Sequence, residues 1–169
     1  MDAIIVPIGW GKRGSEGKIM AVKYARENKI PYLGLCYGMQ LACIEFARNV
    51  LGLDADTEEN NPQTKNPIIH SIPFNKKYQV IKGEGVSMRL GAYDCVIKKG
   101  TRAYELYDKY DSWNGKKGTV SERHRHRYEF NNKYRKALEE KGFVFSGVSP
   151  DDFFVEMIEL PKSMHPFFI

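Results

Sequence analysis

An apolar run at residues 30–35 ends at a cysteine, and a glycine two positions later opens a long amphipathic stretch: Ile30-Pro31-Tyr32-Leu33-Gly34-Leu35-Cys36-Tyr37-Gly38-Met39-Gln40. A strand that becomes a helix across one residue fits few architectures. It places that residue's side chain outside the carboxyl end of a sheet, at the positive end of a helix dipole. A similar unit precedes it. Ala3-Ile4-Ile5-Val6 reads as a buried strand, a glycine-rich loop follows at residues 9–14, and residues 16–28 carry an apolar face of Ile19, Met20, Val22 and Ala25. Ser15 is the expected N-cap of this first helix. Strand, loop, helix, strand, helix is the pattern of a parallel α/β unit with a right-handed crossover. The glycine loop and Cys36 then face one site.

The remaining chain continues as one domain over residues 1–169, with no repeat and no linker. Residues 54–77 are polar and contain Pro62, Pro67 and Pro73, which predicts irregular structure with short helical pieces. Residues 86–97 alternate like a strand pair, 101–110 read as a short helix, 132–141 as another, and 143–147 and 154–160 as strands. An apolar content of 42% with 28% charged residues implies a packed core rather than disorder. No apolar run reaches membrane-spanning length and no signal peptide is visible, so no membrane is expected and a cytoplasmic location is. Three cysteines without framework spacing fit a reducing compartment, and no paired-cysteine pattern suggests a metal. The net charge of +5 owes much to Arg123, Arg125 and Arg127, but no basic helix face carries interleaved aromatics, so nucleic-acid binding is not expected.

Chemistry concentrates at Cys36. A helix N-terminus favours a thiolate, and its free N–H groups can hold an oxyanion on a substrate the thiolate attacks. Gly38 would leave room for that substrate near the backbone. The bland alternative is a small buried hydrophobe, which is the reading for Cys43 and Cys95. The loop Gly9-Trp10-Gly11-Lys12-Arg13-Gly14 matches neither the P-loop nor the dinucleotide fingerprint. It is either a mobile turn or the second half of an oxyanion hole. His124 and His126 alternate in a strand-like run and share a face, with Arg123, Arg125 and Arg127 on the other; structural or surface roles suit both histidines. His70 carries no signal.

The residues 34–40 resemble the nucleophile elbow of class I glutamine amidotransferases. The match narrows to the amidotransferase domain of the cytidine triphosphate synthase family through Glu16-Gly17-Lys18, Met88-Arg89-Leu90-Gly91, residues 121–131, and Val155-Glu156 with His165-Pro166-Phe167-Phe168. The resemblance covers nearly the whole chain, and the run from Arg123 to Arg127 is its most specific part. It implies an α/β three-layer sandwich with a mostly parallel, flavodoxin-like central sheet. It implies that Cys36 attacks the side-chain amide of L-glutamine, forms a thioester and releases ammonia, which a separate synthetase domain uses to aminate UTP. Backbone N–H groups of Tyr37 and of the loop near Gly9 would hold the oxyanion. Trp10, Gly38, Gln40 and Glu58 would line the substrate site, and Arg127 would hold the substrate carboxylate. No cofactor is implied for this domain. ATP, magnesium and UTP belong to the absent synthetase domain, which would also assemble the homo-oligomer.

Three departures qualify the resemblance. The family's base is the histidine of a His-Pro-Glu motif, which this chain lacks. His165-Pro166-Phe167 resembles a structural segment that precedes the motif, and His165 is the first base candidate if this chain turns over. The domain reads as incomplete at both ends. Ile8 replaces a loop glycine and Tyr37 a smaller aliphatic residue. The alternatives are a glutaminase, a silent relative that keeps the fold as a glutamine-binding or interaction module, and a different cysteine enzyme of the superfamily. Tyr37 speaks against the last, whose peptidases place a histidine there.

Overall fold

The structure, a computed structural model, describes residues 1–73, 79–80 (as backbone) and 87–169. Its first half follows the expected alternation: β1 (Ile4–Val6), α1 (Ser15–Glu27), β2 (Tyr32–Gly34) and α2 (Tyr37–Asn49). The strands β1 and β2 are parallel, with Ile4 opposite Tyr32 and Val6 opposite Gly34. The last residues of the chain extend this patch. Tyr32 N–H donates to the Phe167 carbonyl at 2.8 Å and Gly34 N–H to the Ile169 carbonyl at 2.8 Å, and Tyr32 and Phe168 bridge in parallel. β2 is thus bonded on both sides, whereas β1, expected to be a buried strand, has only Val6 buried and leaves Ile5 63% exposed, because among the described residues it pairs with β2 alone.

The helices α1 and α2 pack on one another. Ile19, Val22 and Ala25 join Leu41, Ala42, Cys43, Ile44 and Phe46 in one core. Met20, expected on the apolar face of α1, is instead 70% exposed. The helix meets the core along a narrower stripe than the sequence suggested. Ser15 is not the cap. Gly14 holds that position at φ 73°, and the Ser15 hydroxyl donates back to the Lys12 carbonyl at 2.9 Å. Glu45 is buried within α2 and receives three bonds from Arg26 of α1 at 2.8–3.1 Å, which raises the guanidinium pKa further.

Residues expected to be irregular form two strands. β3 (Ala55–Thr57) runs parallel to β4 (Asn66–Ser71), and their buried Ala55, Ile68 and Ile69 outweigh the local polarity. Pro67 sits beside a register shift between Asp56 and Thr57, the kind of place where a strand tolerates proline. Residues 74–77 of that stretch, and Val86 at the head of the next, lie outside the described residues. β5 (Gln79–Val80) pairs with β6 (Ser87–Ile97), which is one long strand rather than a strand pair. Its main partner is β7 (Thr119–His126), antiparallel from Arg89↔His126 to Val96↔Thr119, and Gly91 passes through at φ 111° without breaking the ladder. β8 (Tyr128–Phe130) returns to pair with β4. α3 (Arg102–Lys109) is capped by the Thr101 side chain. The expected helix at 132–141 is a 3-10 turn (Asn132–Tyr134) followed by α4 (Arg135–Glu139). β9 (Val144–Val148) and β10 (Val155–Glu159) complete the antiparallel side.

Candidate active site

Cys36 lies between β2 and α2 with φ 55° and ψ −100°, a backbone state that only glycine adopts without strain. The turn is locked by close packing. Leu35 N–H donates to the Val6 carbonyl at 2.9 Å and Gly38 N–H to the Leu35 carbonyl at 3.0 Å. A Cβ on Gly38 would come 2.2 Å from the Val6 carbonyl oxygen, and one on Gly34 would come 2.7 Å from Gly38 backbone. Both elbow glycines are therefore demanded by helix–strand contact. The expectation that Gly38 makes room for a substrate is replaced by this tighter reason. The Tyr32 hydroxyl, buried below, donates to the Gly38 carbonyl at 2.9 Å.

The elbow presents Cys36 as an exposed residue, while Cys43 and Cys95 are buried. Its thiol is nonetheless crowded. Desolvation raises its pKa, the Tyr37 amide opposes that, and the Glu59 carboxylate raises it further. The thiolate expected from the helix dipole is thus not favoured, because burial and a nearby anion outweigh the Tyr37 amide. Burial pushes the Cys43 thiol higher still, beyond the ordinary range.

Tyr37 ties three segments together. Its hydroxyl donates to the Gly11 carbonyl at 2.8 Å and accepts from Asn60 Nδ2 at 3.0 Å. Its ring lies 3.2 Å from the place a Gly9 Cβ would occupy, and the Lys18 ammonium stands 5.2 Å from the ring centroid. The glycine loop is thus anchored at the elbow rather than left as a free turn. Trp10, in that loop, is 79% exposed, and Ile8 is 66% exposed. The Ile8 side chain therefore faces water instead of narrowing the elbow.

Charges of both signs gather on the other side. Burial raises the pKa of the Tyr128 phenol, the carboxylates of Glu59 and Glu58 add to that, and the Arg127 guanidinium opposes it. Glu58 Oε2 accepts from the Ser71 amide at 2.8 Å and from its hydroxyl at 3.1 Å. Gln40 Nε2 donates to the Tyr128 carbonyl at 2.9 Å. Gln40 thus bonds the Tyr128 carbonyl, Glu58, Glu59 and Arg127 act on its phenol through their charges, and the Glu59 charge also reaches Cys36. The sequence pattern assigns no role to Asn60 or Tyr128. The signal available for them was only their adjacency to Glu58 and Arg127.

His165 is buried on the far side of α1. Nε2 donates to the Ala25 carbonyl at 3.0 Å, Nδ1 accepts from the Phe167 amide at 3.2 Å, and its ring meets Phe168 edge-on. Both ring nitrogens are committed to structure, so His165 is not a base for Cys36. His124 and His126 belong to a buried network with Arg89, Glu156 and Tyr128. Arg89 Nη1 lies 2.7 Å from Glu156 Oε1, and the guanidinium is sandwiched between the Tyr93 and Phe154 rings at 4.5 and 4.3 Å.

Comparison with known proteins places this geometry. The family model of class I glutamine amidotransferases matches residues 1–168. The chain is 55% identical over 169 residues to a CTP synthase of Caldanaerobacter subterraneus subsp. tengcongensis, covering 99% of this chain and 29% of that protein. It is 53% identical over 169 residues to a CTP synthase of Bacillus subtilis, again with 99% and 29% covered. The chain thus spans under a third of the length of these curated relatives. A solved glutaminase domain of Trypanosoma brucei CTPS with bound acivicin superposes with a TM-score of 0.83 at 38% identity, over 99% of this chain and 60% of that one. With the elbow, its glycine contacts and a family match running through residues 1–168, this chain belongs to the class I glutamine amidotransferase family.

Proposed function

We propose that the chain is a glutaminase unit of the CTP synthase type. The observation that carries the reading is Cys36, held outward in a strained backbone state at the N-terminus of α2. Its sulfur attacks the side-chain amide carbon of L-glutamine, and the oxyanion meets the amides of Tyr37 and of the loop at Gly9. Expulsion of the amide nitrogen as ammonia leaves a thioester, and water cleaves it to glutamate with return of the thiol. Glu58 and Glu59 supply the acidic side for the substrate ammonium, and Arg127 the guanidinium for its carboxylate. The ammonia serves a synthetase domain that aminates UTP with ATP and magnesium, so no cofactor is needed at Cys36. A cytoplasmic location and oligomerisation through that other domain complete the reading.

Acivicin tests it. The expected result is a single adduct on Cys36, slowed by L-glutamine and absent from C36A, with Cys43 unlabelled. Labelling of Cys43 in preference to Cys36 overturns the assignment.

A second reading is favoured by one observation. The 169 residues contain no His-Pro-Glu, and the ring nitrogens of His165 are committed to structure. The chain would then bind glutamine without turning it over, since loss of a general base costs about two to four orders of magnitude. A glutaminase assay on the 169-residue chain separates the two: turnover well above background removes the silent reading.

A further inference from the structure

The glutaminase reading leaves the half-buried histidines of β7 without a task, and their hydrogen bonds point at the substrate side of the site. His126 Nδ1 lies 2.9 Å from the Tyr128 carbonyl, the same oxygen that receives Gln40 Nε2 at 2.9 Å. A carbonyl only accepts, so His126 carries its proton on Nδ1. The neutral ring then has a bare Nε2, which lies 3.1 Å from His124 Nδ1. That nitrogen must be the donor. That assignment leaves His124 Nε2 without a proton, 3.5 Å from Glu156 Oε2 and with no hydrogen-bond partner, while Arg89 sits on the other carboxylate oxygen. Burial, reinforced by the charge of Arg89, holds the two rings neutral, with pKa values lowered to about 3 for His124 and about 4 for His126. The Tyr128 carbonyl therefore sets the proton of His126, and His126 sets that of His124.

We infer that His126, oriented by His124, is a positioning residue for the glutamine pocket: it fixes the Tyr128 carbonyl, the joint between the helix that carries the nucleophile and the strand turn that carries the carboxylate clamp. The inference rests on the glutaminase reading. Gln40 hangs from that carbonyl on one side, and Arg127 precedes it in the chain. Arg127's own carbonyl is held by the Ile72 amide at 2.8 Å, so the turn is pinned at two successive oxygens. Cys36 is positioned independently, through Val6, Gly34 and Gly38. Loss of the His126 donor should therefore loosen amino-acid binding and leave the reactivity of the bound thiol alone.

The choice of replacement isolates the bond. An asparagine at 126 places an amide N–H where Nδ1 stood, whereas a glutamine places it near Nε2, away from Tyr128. Acivicin inactivation of the 169-residue chain, followed as the Cys36 adduct, yields KI for the pocket and kinact for the thiol. In H126Q, KI is expected to rise about tenfold at constant kinact, the scale of one lost buried hydrogen bond. H126N is expected to stay within about threefold of the parent on the same scale. Circular dichroism and Tm confirm the fold of each variant, and H126L serves as a second donor-free replacement. An unchanged KI in folded H126Q overturns the inference, as does an H126N no better than H126Q, or a fall in kinact at constant KI. If H126Q does not fold, H126L against H126N decides by the same criteria. If neither donor-free variant folds, His126 is a folding residue and the inference fails. A parent chain that acivicin does not label at Cys36 removes the glutaminase reading, and this inference with it.

Discussion

The elbow around Cys36 and the buried network around Arg89 both shape the site, but they are built from different materials. The elbow is backbone: two glycines, a strained cysteine and the Val6 carbonyl, all within contact of one strand and the start of one helix. The network is side chains. Arg89 comes from β6, His124 and His126 from β7 and Glu156 from β10, and they meet the main chain at the Tyr128 carbonyl of β8. A backbone device tolerates almost no added atom. A side-chain device tolerates shape changes but is tuned by protonation. The elbow accordingly sets whether the sulfur is presented, and the network sets how firmly the substrate's two ends are gripped.

The most severe way to break the elbow is a single methyl group. In G38A the new carbon would sit 2.2 Å from the carbonyl oxygen of the buried Val6, and neither partner is a flexible side chain. The expected loss is about 3 kcal/mol or more of folding stability, measured by urea denaturation, with acivicin labelling of Cys36 reduced even where the variant remains folded. A fully stable, fully reactive G38A would mean the helix and strand can separate, and the contrast between the two regions would fail.

The network should instead reveal itself through pH. In the unfolded chain an imidazole takes up its proton near 6.5, but in the folded chain His126 waits until about 4 and His124 until about 3. Below 6.5 the unfolded state therefore binds protons that the folded state does not. The stability held above 6.5 is lost as pH falls toward 4 and then 3. Glu129 has the opposite sign, because burial lifts its carboxyl from 4.5 to about 8; its contribution declines as pH climbs between those values. Comparing the parent with an H124Q/H126N double variant isolates the histidine part. The parent should lose on the order of 6 kcal/mol more than the variant between pH 7 and pH 4, read from denaturation midpoints. Parallel pH profiles would show that the rings are not held neutral.

This contrast also explains what could be read in advance. The strand, the cysteine turn and the helix follow from neighbours in the chain, so local residue pattern was enough to locate Cys36 and the parallel pair that supports it. The reasons behind it were less legible. Gly38 was read as space for a substrate, yet it is required by Val6, a residue 32 positions away that no local pattern connects to it. The thiol's pKa is raised first by burial and then by Glu59, which follows β3, and β3 and β4 were hidden behind prolines and polar residues whose buried neighbours Ile68 and Ile69 decide the matter. His124 and His126 could be placed on one face by alternation. Their shared task could not, because it depends on a carbonyl, and a backbone oxygen has no letter in the sequence.

The gentlest test lies where the two regions meet the same inhibitor. Tyr37 follows the nucleophile, and its hydroxyl bonds both the Gly11 carbonyl and Asn60. Phenylalanine keeps the ring against Gly9 but removes both bonds, at an expected cost of about 1 kcal/mol in stability. The glycine loop then keeps its packing and loses its tether, so its amide should meet the developing oxyanion less well. Y37F should lower the acivicin kinact by about three- to tenfold, the scale of a weakened oxyanion donor rather than a deleted one, with KI changed little. That is the mirror image of the change expected for H126Q. If both variants instead moved KI and kinact together, presentation of the sulfur and grip on the amino acid would be one property of a single rigid site, and the division between backbone and side-chain devices would have no functional meaning.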